Sequence, residues 1–132
     1  MTEREASCSC GQLRVRTSGD PVRVSICHCL ACQQRTGSAY GYQARFAEDQ
    51  VVISGESRAW TRASDEERSP RTSSFCPHCG STVFWRGEDS PGFIGVAAGA
   101  FADPAFPAPT RSVWEERKHS WVILPPDIEH IH

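Results

Sequence analysis

The chain has 132 residues, of which 39% are hydrophobic and 23% are charged; this balance predicts one soluble domain spanning residues 1–132 and excludes wholesale disorder. Its 14 basic and 16 acidic side chains give a formal net charge of −2, and the basic residues are scattered, so no nucleic-acid partner is expected. No apolar run approaches the roughly 20 residues of a membrane span, and the mixed-charge N-terminus is unlike a secretory signal. We therefore expect a cytoplasmic protein with no membrane partner.

The predicted elements are mostly short strands. Gln12–Arg16 places Leu13 and Val15 on one face and polar side chains on the other, the period-two pattern of a half-buried strand. Similar patterns between Gly, Pro, Asp or Ser clusters predict strands at Val22–Ile26, Tyr40–Phe46, Val51–Ser54, Ser57–Thr61, Ser81–Arg86, Phe93–Ala98 and Ser120–Leu124. Many short strands with frequent turns favour a mainly β domain.

Three segments depart from the strand pattern. Leu30–Arg35 predicts a short helix that ends near Gly37, a residue type favoured just past a helix end. Ala63–Arg68 is almost wholly polar, which favours a solvated loop. Residues 102–109 contain three prolines, so this segment is expected to be an irregular connector.

The cysteines carry the strongest chemical signal. There are seven, and an odd number cannot pair completely in disulfides within one chain. They fall in three groups, Cys8 with Cys10, Cys27 with Cys29 and Cys32, and Cys76 with Cys79. In an extended chain, residues i and i+2 point to the same face and can hold one ion, while Gly80 permits the tight turn that a Cys-x-x-Cys pair needs.

Seven thiols divide naturally into four and three. Two pairs make the closed four-thiolate site that structural zinc prefers, and a triplet leaves a fourth position for water or substrate, as catalytic zinc requires. Two other interpretations stay open: buried cysteines that act only as small hydrophobes, and a redox dithiol at Cys76 and Cys79, although no βαβ pattern surrounds that pair.

The histidines are expected to support the cysteines or to lie on the surface. Alternation points His28 away from the face of Cys27 and Cys29, so a supporting or surface role is predicted. His78 is interpreted as a turn residue, and the remaining histidines as surface or tail residues: His119, His130 and His132.

The order of these motifs resembles the glutathione-dependent formaldehyde-activating enzyme family. The specific matches are Cys-x-Cys-Gly at 8–11, Cys-His-Cys-x-x-Cys-Gln at 27–33 and Phe-Cys-x-x-Cys-Gly-Ser at 75–81, and the likeness extends from Cys8 to about Ile128. The resemblance implies a zinc-containing β-tent fold, shared with a chaperone of Rab GTPases. It further implies a structural zinc on Cys8, Cys10, Cys76 and Cys79, and a catalytic zinc on Cys27, Cys29 and Cys32.

The activity implied by the resemblance is that of a carbon–sulfur lyase that makes S-(hydroxymethyl)glutathione from glutathione and formaldehyde. Two segments depart from the family pattern. Ser73-Ser74 stands where the family often has a basic residue, and 62–71 carries no motif of the family. Both segments lie where substrate contacts are expected, so the sequence does not decide which thiol is the substrate.

Three functions remain compatible with the sequence. The first is the reaction of glutathione with formaldehyde, and the second is a related reaction on another thiol. The third is binding alone, by a module that zinc stabilises and that has no catalytic activity. The triplet separates them, because a scaffold gains nothing from an open metal position. Four residues beside the triplet could line a peptide-like pocket or could serve the core and the helix cap: Gln33, Arg35, Tyr40 and Tyr42.

Overall fold

The computed structural model describes residues 1–64 and 69–131, and within them the chain is mainly β, as predicted. The strands are β1 Glu3–Ser7, β2 Arg14–Ser18, β3 Arg23–Cys27, β4 Gly41–Ala47, β5 Val51–Ser54, β6 Arg58–Arg62, β7 Arg71–Phe75, β8 Thr82–Gly87, β9 Phe93–Ala97, β10 Arg111–Val113 and β11 Glu129–Ile131. Helix α1 spans Leu30–Thr36, and 3-10 turns occupy Glu48–Gln50, Ala98–Phe101 and Glu115–Arg117.

The strands form two sheets. The smaller has three antiparallel strands in the order β1-β2-β5. The larger has eight strands in the order β11-β10-β3-β4-β9-β8-β7-β6, antiparallel except that β10 runs parallel to both β3 and β11. Strand β3, which leads into the cysteine triplet, therefore lies inside the larger sheet and is paired on both edges.

The core lies between the two sheets. Leu13 and Val15 from the smaller-sheet side pack in one cluster with Phe46, Ile94 and other side chains of the larger sheet. These four side chains are at most 1% exposed. Burial of side chains of this size contributes about 1.5–3 kcal/mol each to folding, so the apolar faces of the alternating strands account for the sandwich of the two sheets.

Seven predicted strands are present, each displaced by at most two residues at either end. Four strands were not predicted. Strands β1 and β7 have the sequences Glu-Arg-Glu-Ala-Ser and Arg-Thr-Ser-Ser-Phe, which are too polar to show an apolar alternation. Strands β10 and β11 have three residues each, too few for any period to be visible, and they form only because the larger sheet offers them an edge.

The predicted strand at Ser120–Leu124 was wrong. The backbone turns there, with the Val122 N–H donating to the His119 carbonyl at 3.1 Å. Val122 is buried, but Trp121 and Ile123 on either side are 68% and 93% exposed. A single inward side chain does not hold a strand to a sheet, and the prolines that follow, Pro125 and Pro126, lack the N–H needed to continue a ladder.

The remaining predictions outside the strands have mixed outcomes. Helix α1 is confirmed, with Cys29 at its N-cap and Gly37 at its C-cap in the left-handed region. The proline-rich segment 102–109 is irregular, as expected. The predicted loop at Ala63–Arg68 lies mostly outside the described residues. Within the described residues, no helix is long and apolar enough to cross a bilayer.

The outer face of the larger sheet, opposite the core, is polar and half-buried. In β3 and β4, Val24 and Ala44 face the core, so Arg23 and Arg45 face outward. Trp85 of β8 also lies on the outer face, with its indole directly over Gly95 of β9. A Cβ at position 95 would overlap that ring, so only glycine lets the indole lie flat on the sheet.

Gly95→Ala is expected to lower the free energy of unfolding by about 1–3 kcal/mol, because the indole of Trp85 must move or the strands must separate. Denaturant unfolding measures the change. Gly99→Ala is the control, since a Cβ there meets no atom within 4 Å and should change stability by less than about 1 kcal/mol. Equal stability of the two variants would contradict the packing described.

Candidate metal centres

Four cysteines from two distant turns meet at one end of the sandwich. Cys8 and Cys10 follow β1, and Cys76 and Cys79 lie in the turn between β7 and β8. Their sulfur atoms all lie within 4.8 Å of one another, with 3.6 Å between Cys8 and Cys10 and 3.7 Å between Cys10 and Cys76. Four sulfurs at about 2.3 Å from a tetrahedral zinc ion are about 3.8 Å apart. The cluster therefore has the dimensions of a four-thiolate metal site.

Hydrogen-bond donors point at the buried sulfurs of this cluster. The Cys76 sulfur accepts from Gln12 Nε2 at 2.9 Å and from the His78 N–H at 3.3 Å, and the Cys8 sulfur accepts from the Leu13 N–H at 3.3 Å. Gly80 has a φ of 81°, the left-handed turn expected from the sequence. Such donors stabilise negative charge on sulfur and orient metal ligands.

The thiols of this cluster do not ionise independently. Hydrogen bonds from Ser81 lower the pKa of Cys79 to about 5. At Cys10 the Gln12 N–H favours the thiolate, but the adjacent Cys8 sulfur and desolvation outweigh it and raise the pKa to about 11. Negative charge placed on one sulfur thus opposes ionisation of the next. A cation among the four sulfurs would favour the thiolate form of all of them.

The triplet forms a second cluster where β3 passes into α1. Cys27 ends β3, Cys29 caps α1 and Cys32 lies in its first turn. The three sulfurs lie within 4.8 Å of one another, and the side chains are at most 2% exposed. The Cys32 N–H donates to the Cys29 sulfur at 3.3 Å. Three ligands leave a tetrahedral metal with one position open to another donor.

His28 supports the triplet from the other side of the strand. Its side chain is fully buried, and Nε2 is hydrogen-bonded to Ser112 Oγ at 3.0 Å. Within the described residues Nδ1 has no partner. Burial lowers the pKa of His28, which favours the neutral ring. The side chain is not part of the sulfur cluster, as the alternation predicted, and its burial excludes the surface role.

The other histidines lie outside the two clusters. His78 is on an exposed turn, with Nε2 3.4 Å from Glu56. His119 Nε2 is hydrogen-bonded to Gln33 Oε1 at 2.9 Å, and His130 Nδ1 to Glu115 at 2.6 Å. His132 lies outside the described residues.

Of the four residues considered as pocket residues, Arg35 lines a cleft beside the triplet, and within the described part of the chain Gln33, Tyr40 and Tyr42 do not line it. Gln33 instead holds the backbone beside the triplet in place, because its Nε2 donates hydrogen bonds to the carbonyls of His28 and Arg117 at 2.9 and 3.0 Å. Tyr42 packs edge-on against Phe106 at the core, and Tyr40 lies edge-on to His28. Both tyrosines and Gln33 are therefore structural.

A cleft of about 470 Å³, called the first cleft below, opens beside the triplet. Cys29 and Cys32 form part of its wall, and its other lining residues are Ala31, Gln34, Arg35, Trp60, Arg62, Arg71, Ser73, Phe75, Gly80 and Thr82. Three guanidinium groups and the 62% exposed Trp60 make the cleft suitable for an anionic organic ligand. Arg62, Arg71 and Ser73 belong to the two segments, 62–71 and 73–74, in which the sequence departs from the pattern of the family that it resembles.

Arg35 is held at the wall of this cleft in an unusual way. Its guanidinium carbon lies 4.3 Å over the Trp85 ring, a cation–π contact. Within the described part of the chain, Nη2 is buried and has no hydrogen-bond partner. An unsatisfied buried donor is costly, and this one belongs to a residue that lines the same cleft as Cys29 and Cys32.

Comparisons with known proteins agree with this arrangement. A family model described as glutathione-dependent formaldehyde-activating enzyme matches residues 3–117, which include all seven cysteines. No curated protein matches the sequence. A crystal structure of a Rhodobacter sphaeroides protein is similar over 73% of this chain and 85% of that chain, with a TM-score of 0.55 and 16% identity. At that identity the likeness establishes the fold alone.

Ser112→Ala is expected to lower the free energy of unfolding by about 1–3 kcal/mol, because the buried His28 ring then loses its only described side-chain hydrogen bond. Urea unfolding measures this change. Ser54→Ala, at an exposed position of β5, is the control and should stay within about 0.5 kcal/mol of the unmodified chain. If Ser112→Ala behaves like the control, the hydrogen bond has no role in holding the triplet.

Proposed function

Because the chain belongs to the glutathione-dependent formaldehyde-activating enzyme family, we propose that it is a carbon–sulfur lyase that joins a thiol to a small aldehyde, with glutathione and formaldehyde as the pair. The observation that carries the proposal is the wall of the first cleft. Two of three clustered cysteines border a cleft that is large enough for a small peptide and is lined by arginines. A metal with an open position would there face the ligand space.

Zinc is the proposed metal at both clusters. Four thiolates suit a closed structural site, held by Cys8, Cys10, Cys76 and Cys79, and three suit an open site, held by Cys27, Cys29 and Cys32. Their sulfur spacing and N–H donors support this assignment. When bound at the open site, zinc supplies thiophilicity and lowers the pKa of an incoming thiol.

The chain's own residues bind and orient the two reactants. The thiol sulfur forms a bond to the aldehyde carbon, the carbonyl π pair moves to oxygen, and the thiol proton ends on that oxygen as a hydroxyl. No oxidant or reductant is needed. The guanidinium of Arg35, a residue of the first cleft wall, is proposed to donate a hydrogen bond to the oxygen as its charge develops. The Trp85 ring beneath keeps the guanidinium in place.

A binding module without catalysis is the alternative. It would need the four-cysteine cluster for stability, but it has no use for a second sulfur cluster that borders a ligand-sized cleft. The two functions differ in what the triplet does, and variants of the two clusters separate them.

The two cysteine clusters should respond differently to loss of one ligand. Cys76→Ser should yield insoluble or molten protein, because a structural zinc contributes on the order of 10 kcal/mol and Cys10 and Cys76 lie 66 residues apart in the chain. Cys29→Ser should remain folded, since the triplet closes only a short loop.

Metal analysis and circular dichroism measure both effects. The unmodified chain, purified without chelator, should carry between one and two zinc ions, and Cys29→Ser should carry one. A Cys76→Ser variant that melts like the unmodified chain would show that the clusters have been assigned the wrong roles.

Glutathione is expected to bind at least tenfold more tightly than S-methylglutathione, because only the free thiol can ionise at the open metal position. Its affinity should rise with pH towards the pKa of the free thiol, and Cys29→Ser should bind the two ligands equally. Calorimetric titration measures the affinities, and NMR exchange spectroscopy measures formation of the hydroxymethyl thioether. Equal affinity for both ligands in the unmodified chain would argue against thiol capture.

A further inference from the structure

A second cleft, of about 220 Å³, lies on the outer face of the larger sheet next to the first. It is lined by Arg23, Arg45 and Arg111, together with Gln43. Val113 and Trp114 separate it from the triplet. Arg71 lines both clefts. The proposed reaction leaves this cleft without a role.

The sheet register forces the three arginines together. Arg23 of β3 pairs directly with Arg45 of β4. Arg111 of β10 pairs with Ser25, which is two residues from Arg23 and on the same face. Like charges directly opposite each other in neighbouring strands destabilise a sheet. Such a cluster calls for a compensating negative charge.

The chain itself supplies little of that charge. Among the described residues no ion pair joins Arg23 or Arg45 to a carboxylate; Arg45 Nη2 donates instead to Ser90 Oγ at 3.2 Å. Arg111 is 3.8 Å from Glu129, whose side chain is 61% exposed, and Asp89 acts on Arg23 and Arg45 only from a distance. Burial, and then repulsion from Arg45 and Arg111, lower the pKa of Arg23.

The second cleft adjoins the cysteine triplet. Val113 and Trp114 line the cleft and also pack against the three cysteines. Val113 pairs with Cys27, so Arg111 lies about 7 Å and Arg23 about 13 Å from Cys27 along their strands. An extended tripeptide spans about 10 Å. A ligand that reaches from a sulfur at the triplet to a charged end among the arginines therefore spans about the length of a small peptide.

We propose that Arg23, Arg45 and Arg111 form an anion subsite that holds the negatively charged end of the thiol substrate. The inference rests on the proposed function and narrows its substrate class to thiols that carry an oxyanion group, a carboxylate or a phosphate, about 7–13 Å from sulfur. Gln43 lines the same cleft, and its Oε1 is buried without a partner among the described residues. It can accept an N–H beside the anion, which favours peptide thiols.

Binding of matched thiols to the zinc-loaded full-length chain tests the subsite. Glutathione should bind at least tenfold more tightly than its diethyl ester, which keeps the thiol and the peptide but has no carboxylate. 4′-Phosphopantetheine, a phosphorylated thiol, separates the two kinds of oxyanion. Weaker binding of this thiol than of glutathione supports carboxylate recognition, and tighter binding supports phosphate recognition.

Arg23→Gln is the decisive variant, since Arg23 does not line the first cleft. It should bind glutathione at least tenfold more weakly and bind the diester unchanged, so that the preference for glutathione disappears. Without ligand it should unfold at the same or a higher temperature, because repulsion with Arg45 is relieved. Inorganic phosphate should raise the melting temperature of the unmodified chain but not that of the variant.

Arg14→Gln is the matched control. Arg14 lies on the smaller sheet, 3.6 Å from Glu5, and its loss should change neither affinity. Arg111→Gln repeats the test from the neighbouring strand if Arg23→Gln does not fold. Equal binding of glutathione and its diester, or an unchanged preference in Arg23→Gln, overturns the subsite and leaves the proposed function standing. Failure of every thiol to bind the unmodified chain overturns both.

Discussion

Side chains of β3 and β4 alternate between two environments, and the rest of the molecule depends on that alternation. Val24 and Ala44 pack into the core between the sheets, while Arg23, Arg45 and Cys27 fall on the other face. The apolar half supplies the burial that holds the sheets together. The polar half is thereby free to carry sulfur and charge without disturbing the core.

The outer face combines groups of opposite electrostatic character. The triplet sulfurs are acceptors for a cation, and the arginines around them attract anions. The formal net charge of −2 conceals this, because a sum over the whole chain does not show where like charges cluster. A centre that must bring an anionic thiol to a metal needs both features close together.

Trp85 packs against residues that line the two clefts. Its indole lies over Gly95, carries the guanidinium of Arg35 at 4.3 Å and has Arg71 at 5.8 Å. Cation–π contacts of this kind hold a charged side chain without neutralising it. Arg35 is thus held in position and keeps its charge for a ligand.

The sequence correctly predicted the strands in which apolar and polar residues alternate. Strands with an apolar face, such as β4 and β9, were correct because period-two burial is visible in the residues themselves. Strand β7 was missed because Ser and Thr fill it, although two neighbours hold it in the sheet. Ser120–Leu124 failed for the opposite reason: it shows a short apolar pattern but has no neighbouring strand to pair with.

The sequence by itself determined the family, the mainly β class, the short helix that contains Cys32 and the grouping of the cysteines. Period-two alternation and spacings of two and three residues impose local geometry on any chain. Spacing alone left open which pairs share a site; the family resemblance implied that the Cys8 and Cys76 turns meet, and the structure brings their sulfurs together. Only the tertiary structure decided that His28 is buried on Ser112. It alone also brought arginines from β3, β4 and β10 to one cleft. These contacts join residues tens of positions apart, and strand register, which no local pattern encodes, sets which of them come together.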